Sequence, residues 1–164
     1  QKAKGGFVND IHYNTLMSAC VSAPVVHSGQ VEVVLQLFRQ MERSSVCKTT
    51  TTYNILMSAC TRGRRWAEAI SLMSLCPEPN IVTYNTVISA CEKGNCWQNA
   101  LRLLFQAVST PDLQPNVVTF NSAISALHKG HQWELALSIL DTMRVVEPDI
   151  VTVNAAASAC HAAH

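Results

Sequence analysis

Five times along this chain a short segment closes on an asparagine, and the spacing of those asparagines constrains the fold more than any other feature. Pro79-Asn80-Ile81-Val82-Thr83-Tyr84-Asn85 returns as Pro115-Asn116-Val117-Val118-Thr119-Phe120-Asn121 and as Pro148-Asp149-Ile150-Val151-Thr152-Val153-Asn154. Degraded copies end in Thr52-Tyr53-Asn54 and His12-Tyr13-Asn14. The closing Asn falls at 14, 54, 85, 121 and 154, at intervals of 40, 31, 36 and 33, a mean of 35. A fixed period of this size marks an array of small units that bury their apolar faces against one another.

Each copy runs on through a Ser-Ala pair: Ser18-Ala19, Ser58-Ala59, Ser89-Ala90, Ser125-Ala126 and Ser158-Ala159. Cys follows at 20, 60, 91 and 160, and Leu127 replaces it once. A thiol that trades with Leu in register is a small core residue. Cys47, Cys76 and Cys96 lie in or near expected turns and have no repeated role. Glycines at 29, 63, 94 and 130 suit helix ends that need positive φ. Three residues after the last three stand Trp66, Trp97 and Trp133, then Ala69, Ala100 and Ala136, then Ile70, Leu101 and Leu137. That spacing defines one buried helical face; platforms for stacked bases are the other reading of the tryptophans.

Each unit therefore reads as helix, Gly turn, helix and Pro-containing loop, with helices of about 11 and 12 residues that are too short to stand alone. The Thr before each aromatic is expected to cap the first helix of its unit. The fold predicted is all-α, a right-handed superhelical solenoid of nine helices. Its units are 10–49, 50–80, 81–116, 117–149 and a partial one over 150–164, with residues 1–9 the tail of a preceding unit. With no initiator Met and no polar capping helix, both ends are expected to belong to a longer array.

Apolar residues make up 48% of the chain and charged residues 14%, against the usual charged share of about 25%, which excludes disorder driven by charge. Twelve Lys and Arg face eleven Asp and Glu, a formal charge of +1. No general polyanion surface is announced, so any nucleic-acid binding rests on placed side chains. No apolar run approaches the roughly 20 residues of a membrane span. Seven cysteines are an odd number with no C-x-x-C, and the nearest pair, Cys91 and Cys96, fits no zinc pattern. Reduced thiols, no metal and no cofactor are expected. Hydrolase, phosphate-loop and deaminase motifs are missing, and His128 and His131 read as exposed turn residues. An enzyme or a small-molecule substrate is not expected.

The period, the Val-Thr-Tyr-Asn-Thr-x-Ile-Ser-Ala opening, the Ala-Leu second helix and the Pro-Asn/Asp ending together resemble the pentatricopeptide repeat family over residues 10–164. The resemblance implies single-stranded RNA held along a concave face, one base per repeat. The first base-reading position is then Asn14, Asn54, Asn85, Asn121 and Asn154. The second is Thr49, Asn80, Asn116 and Asp149, each paired with the Asn that opens its own unit. Asn9 belongs to a unit upstream, and Asn154 lacks its partner. In the family code these pairs read Y-C-C-U. Ile11, Thr51, Val82, Val118 and Val151 are the implied base-sandwiching residues, with Thr51 departing from the branched aliphatic norm. Arg62, Lys93 and Lys129 are implied phosphate contacts, or else cations that complement a helix C-terminus.

An Asn amide offers both a donor and an acceptor to a base edge, which makes the reading chemically reasonable, with helix capping as the alternative. Family members serve RNA processing, stability or translation in the mitochondrion or chloroplast, sometimes with other proteins of a processing complex. A tetratricopeptide-like scaffold for protein partners is the competing class, and a structural spacer a third.

Overall fold

A computed structural model describes residues 9–22, 28–143, 150, 153, 154, 157 and 158. Among the described residues there are eight helices and no strand. The first helices of successive units are α1 (Asp10–Ser22), α3 (Thr50–Arg62), α5 (Ile81–Lys93) and α7 (Val117–Lys129). The second helices are α2 (Ser28–Arg43), α4 (Trp66–Met73), α6 (Trp97–Ser109) and α8 (Trp133–Thr142). The expected ninth helix lies mostly outside the described residues, although Ile150, Val153, Asn154, Ala157 and Ser158 are helical.

First helices pack side by side as one layer, α1 on α3, α3 on α5 and α5 on α7. Of the second helices, α2, α4 and α6 each pack on the first helix of their own unit and on that of the next, and α8 packs on α7. The result is an all-α solenoid. Its core repeats with the sequence: Tyr13, Tyr53, Tyr84 and Phe120 are buried, as are Met17, Met57, Ile88 and Ile124 one helical turn on. Burying one such side chain is worth about 1.5–3 kcal/mol, so each unit is stabilised mainly by these contacts and not by helix propensity. Cys60, Cys91 and Leu127 are all fully buried in register. Cys76 is buried as well, because α4 stops after eight residues and the chain turns inward past its end.

The helix starts depart from the expectation in an instructive way. The caps of α5 and α7 are Asn80 and Asn116, in extended backbone, with side-chain oxygens accepting from the Thr83 and Thr119 N–H groups. The two threonines answer from the third helical position, each hydroxyl accepting from the N–H of its cap at 3.2 and 3.1 Å. Thr is therefore the second half of a capping box and not the cap itself. Asn9 and His12 make the same reciprocal pair at the start of α1.

The helix ends bring a second correction. Gly63, Gly94 and Gly130 have φ of −79°, −89° and −85°. Positive φ falls one residue later, on Arg64, Asn95 and His131. What these glycines provide is space: a Cβ at Gly94 would lie 2.3 Å from Cδ1 of Trp66, and one at Gly130 2.3 Å from Cδ1 of Trp97. At Gly63 the partner is Val31, 2.8 Å away. Trp66 and Trp97 are thus half-buried rings laid on the glycine of the next unit, which assigns them to packing between units. Gly29 lies inside α2 with nothing near it, so its expected role as a helix terminator does not hold.

Candidate nucleic-acid interface

Asn14, Asn54, Asn85 and Asn121 each occupy the fifth residue of a first helix, beyond the first turn whose N–H groups a cap satisfies. The capping alternative therefore belongs to Thr49, Asn80 and Asn116, the residues implied as second readers. Two of these caps, Asn80 and Asn116, meet the fifth-position amides of the preceding first helix. Asn54 Nδ2 lies 3.5 Å from Asn80 Oδ1, and Asn85 Nδ2 lies 3.4 Å from Asn116 Oδ1. Residues far apart in sequence thus become neighbours because the next first helix starts beside the fifth residue of the one before. Asn14 and Thr49 share a concavity of about 590 Å³. Asp149 and Val151 lie outside the described residues, and Asn154 is exposed on helical backbone.

Ile11, Thr51, Val82 and Val118 are the second residues of their helices and all are exposed. Thr51 lines the concavity of Asn14 and also the next one, about 600 Å³, that holds Asn54 and Asn80. Val82 lines that second cell and a third of about 310 Å³ with Asn85. Thr51 and Val82 each therefore wall two successive cells, which open beside Asn14 and Thr49, beside Asn54 and Asn80, and beside Asn85. Ser18 and Ser58 are shared between neighbouring cells in the same way.

The three cations sit in the last turns of α3, α5 and α7, where they complement the helix C-termini. Arg62 lines two of the cells and donates to the Val21 carbonyl of the preceding unit. Lys93 is exposed in the third cell. Lys129 is held by Glu92 at 3.0 Å.

Burial pushes the thiols of Cys60 and Cys91 up to about 11, which keeps them protonated and unreactive at neutral pH. Among the described residues no three His, Cys, Asp or Glu side chains converge as a metal site. Nor does any helix of the described residues have the length and apolar character to cross a membrane. His128, expected to be exposed, is half-buried with Nδ1 enclosed and unpartnered. Thr83 and Thr119, which the sequence pattern assigns to capping alone, carry buried hydroxyls that join the two amides of each pair. Their recurrence before the aromatic is the signal in the sequence that marks them.

An array of paired helices with a polar, aliphatic-walled groove along its first helices defines a helical-repeat binding protein. Models of the pentatricopeptide repeat family match nearly the whole chain: the PPR repeat family over residues 8–62, the PPR repeat over 51–78 and 82–109, and the pentatricopeptide repeat domain over 103–161. The chain belongs to the pentatricopeptide repeat family. No curated protein matches it. Among solved structures it is similar to the pentatricopeptide repeat protein PPR10 in complex with an 18-nt psaJ RNA element, with a TM-score of 0.76 at 23% identity. That likeness covers 98% of this chain and 24% of PPR10. PPR10 from maize gives a TM-score of 0.52 at 19% identity, covering 94% of this chain and 27% of that one. The chain thus spans about a quarter of the length of this relative, and the likeness is one of fold.

Proposed function

We propose that this chain binds single-stranded RNA along the first-helix groove, one base per unit, without catalysing a reaction on it. The observation that carries the reading is the meeting of Asn54 with Asn80 and of Asn85 with Asn116, each pair beside a cell walled by a branched side chain. Polar amides then face a base edge while Ile11, Thr51, Val82, Val118 and Val151 pack on base faces. With units bounded at 10–49, 50–80, 81–116 and 117–149, and Asp149 completing the pair with Asn121, the order read is Y-C-C-U. Arg62, Lys93 and Lys129 contact phosphates, and Asn154 reads the next base with a partner further along an array.

Family membership and the fold shared with a protein solved in complex with RNA support this reading over a tetratricopeptide-like protein scaffold. It places the chain in the processing, stability or translation of transcripts in a mitochondrion or chloroplast, alone or with other proteins. Selection of the purified chain against random single-stranded RNA and DNA pools at low salt tests it. RNA enriched in Y-C-C-U is expected; retention of neither pool would refute RNA binding, and enrichment without a pyrimidine preference would refute the code.

A further inference from the structure

Thr83 and Thr119 are fully buried, yet each touches both amides of a base-facing pair. Backbone donors fix which way those amides point. The Thr83 N–H has only a proton to give and faces Asn80 Oδ1 at 3.1 Å, so the Asn80 oxygen turns toward its own helix and the amide nitrogen away. The Asn80 N–H donates to Thr83 Oγ1 at 3.2 Å, which leaves the hydroxyl proton to point elsewhere. Its nearest acceptor is Asn54 Oδ1 of the preceding first helix at 2.7 Å, against 3.2 Å for Asn80 Oδ1. The arrangement repeats one unit on. Thr119 N–H donates to Asn116 Oδ1 at 3.2 Å, Asn116 N–H donates to Thr119 Oγ1 at 3.1 Å, and the hydroxyl donates to Asn85 Oδ1 at 2.6 Å.

We propose that Thr83 and Thr119 are positioning residues for base selection, a role that rests on the RNA reading above. By engaging both amide oxygens of a pair, each threonine fixes how the amides point, so that the pair offers a base chiefly N–H groups. Cytosine meets such a surface with two adjacent acceptors, O2 and N3. Uracil puts an N3–H donor between O2 and O4, and that donor matches a surface led by N–H groups less well. The selectivity of the Asn54/Asn80 and Asn85/Asn116 cells for cytosine over uracil thus depends on a hydroxyl that touches no RNA.

The Asn14/Thr49 cell lacks this clamp. Thr52 Oγ1 accepts from the Thr49 N–H at 3.2 Å and meets the Thr49 hydroxyl at 3.3 Å, while Asn14 Oδ1 is enclosed without a partner. An amide not held in one orientation presents either its donor or its acceptor, so this cell separates the two pyrimidines less.

The test is fluorescence anisotropy of the chain with labelled RNAs that carry C-C or U-U at the two central positions, with C-U and U-C to read each position separately. The expected preference for C over U is roughly tenfold at each position, the scale of one good base contact. Thr83→Val with Thr119→Val conserves shape and removes both hydroxyls, and should bring the two affinities within about twofold of each other. Thr83→Ser with Thr119→Ser keeps the hydroxyls and should keep the preference, and Thr119→Val alone should flatten only the second position. A valine variant that retains the full preference, a serine variant that loses it, or a wild-type chain that binds RNA without preferring C-C overturns the positioning role while leaving RNA binding in place. A chain that binds no RNA at all overturns the RNA reading and this inference with it.

Discussion

Gly94→Ala probes the packing between units, and here two effects of opposite sign compete. Gly94 has φ of −89° and ψ of 0°, a conformation open to any residue. Removing glycine's freedom in the unfolded chain should therefore stabilise by about 0.4–1 kcal/mol. Against this stands Trp66, whose Cδ1, Cγ and Nε1 would lie 2.3, 2.5 and 2.9 Å from the new methyl carbon. Carbon atoms pack at about 3.5–4.0 Å, so the ring must retreat by about 1 Å or more. It would leave a small cluster made by Cys60, Ala69 and Ala90 at the junction of α3, α4 and α5. Overpacking of this kind costs about 1–3 kcal/mol, which outweighs the entropic gain and leaves a net loss of about 1–2 kcal/mol. With a urea m-value of about 1–3 kcal/mol per molar, the midpoint read by circular dichroism should fall by about 0.5–1 M. Gly29→Ala is the control: nothing lies within 4 Å of its Cβ, so the midpoint should rise. In a Trp66→Val background, which copies the smaller Val31 facing Gly63, the Gly94→Ala cost should shrink, a coupling of about 1 kcal/mol. Equal shifts for the two glycines, or an additive cycle, would refute the packing argument.

Lys129→Gln removes one of the three proposed phosphate contacts, so RNA affinity should fall and the log–log salt slope should flatten by about 0.7. An unchanged slope places Lys129 off the RNA path. The thiols of Cys60 and Cys91, at about 11 in the folded chain, keep a proton that the unfolded chain loses above about 8.5. The unfolded state then binds fewer protons, so stability should fall as pH rises between those values. Melting curves from about pH 8.5 to 11 should decline less steeply for Cys91→Ala than for the wild type; parallel declines would remove burial of this thiol as a cause.

The fold was legible because period and packing are one phenomenon here. A residue that recurs every 35 positions meets the same neighbour each time, so Tyr13, Tyr53, Tyr84 and Phe120 report a shared core slot without any coordinates. What stayed hidden were contacts between different slots. A glycine three residues before a tryptophan reads locally as a helix terminator. Its actual partner at Gly94 and Gly130 is the tryptophan of the preceding unit, a whole repeat back, a distance that local rules for φ do not span.

At the candidate site the identity of the paired positions was readable, but their division of labour was not. Thr49, Asn80 and Asn116 close loops after Pro-containing or polar stretches, and as sequence they carry capping and base reading equally well. Asn80 and Asn116 do have the cap's geometry, and that geometry constrains any reading role, because a cap must spend its oxygen on backbone N–H groups. An amide with its oxygen spent has only its nitrogen to offer. Under the proposed function, capping and reading are therefore coupled through one side chain, and Thr83 and Thr119 extend the coupling to the unit before. A solenoid of near-neutral charge has little bulk attraction to draw on. Under the proposed function its selectivity must come from polar groups whose directions are set in advance, and the helix start is where this backbone supplies donors rigid enough to set them.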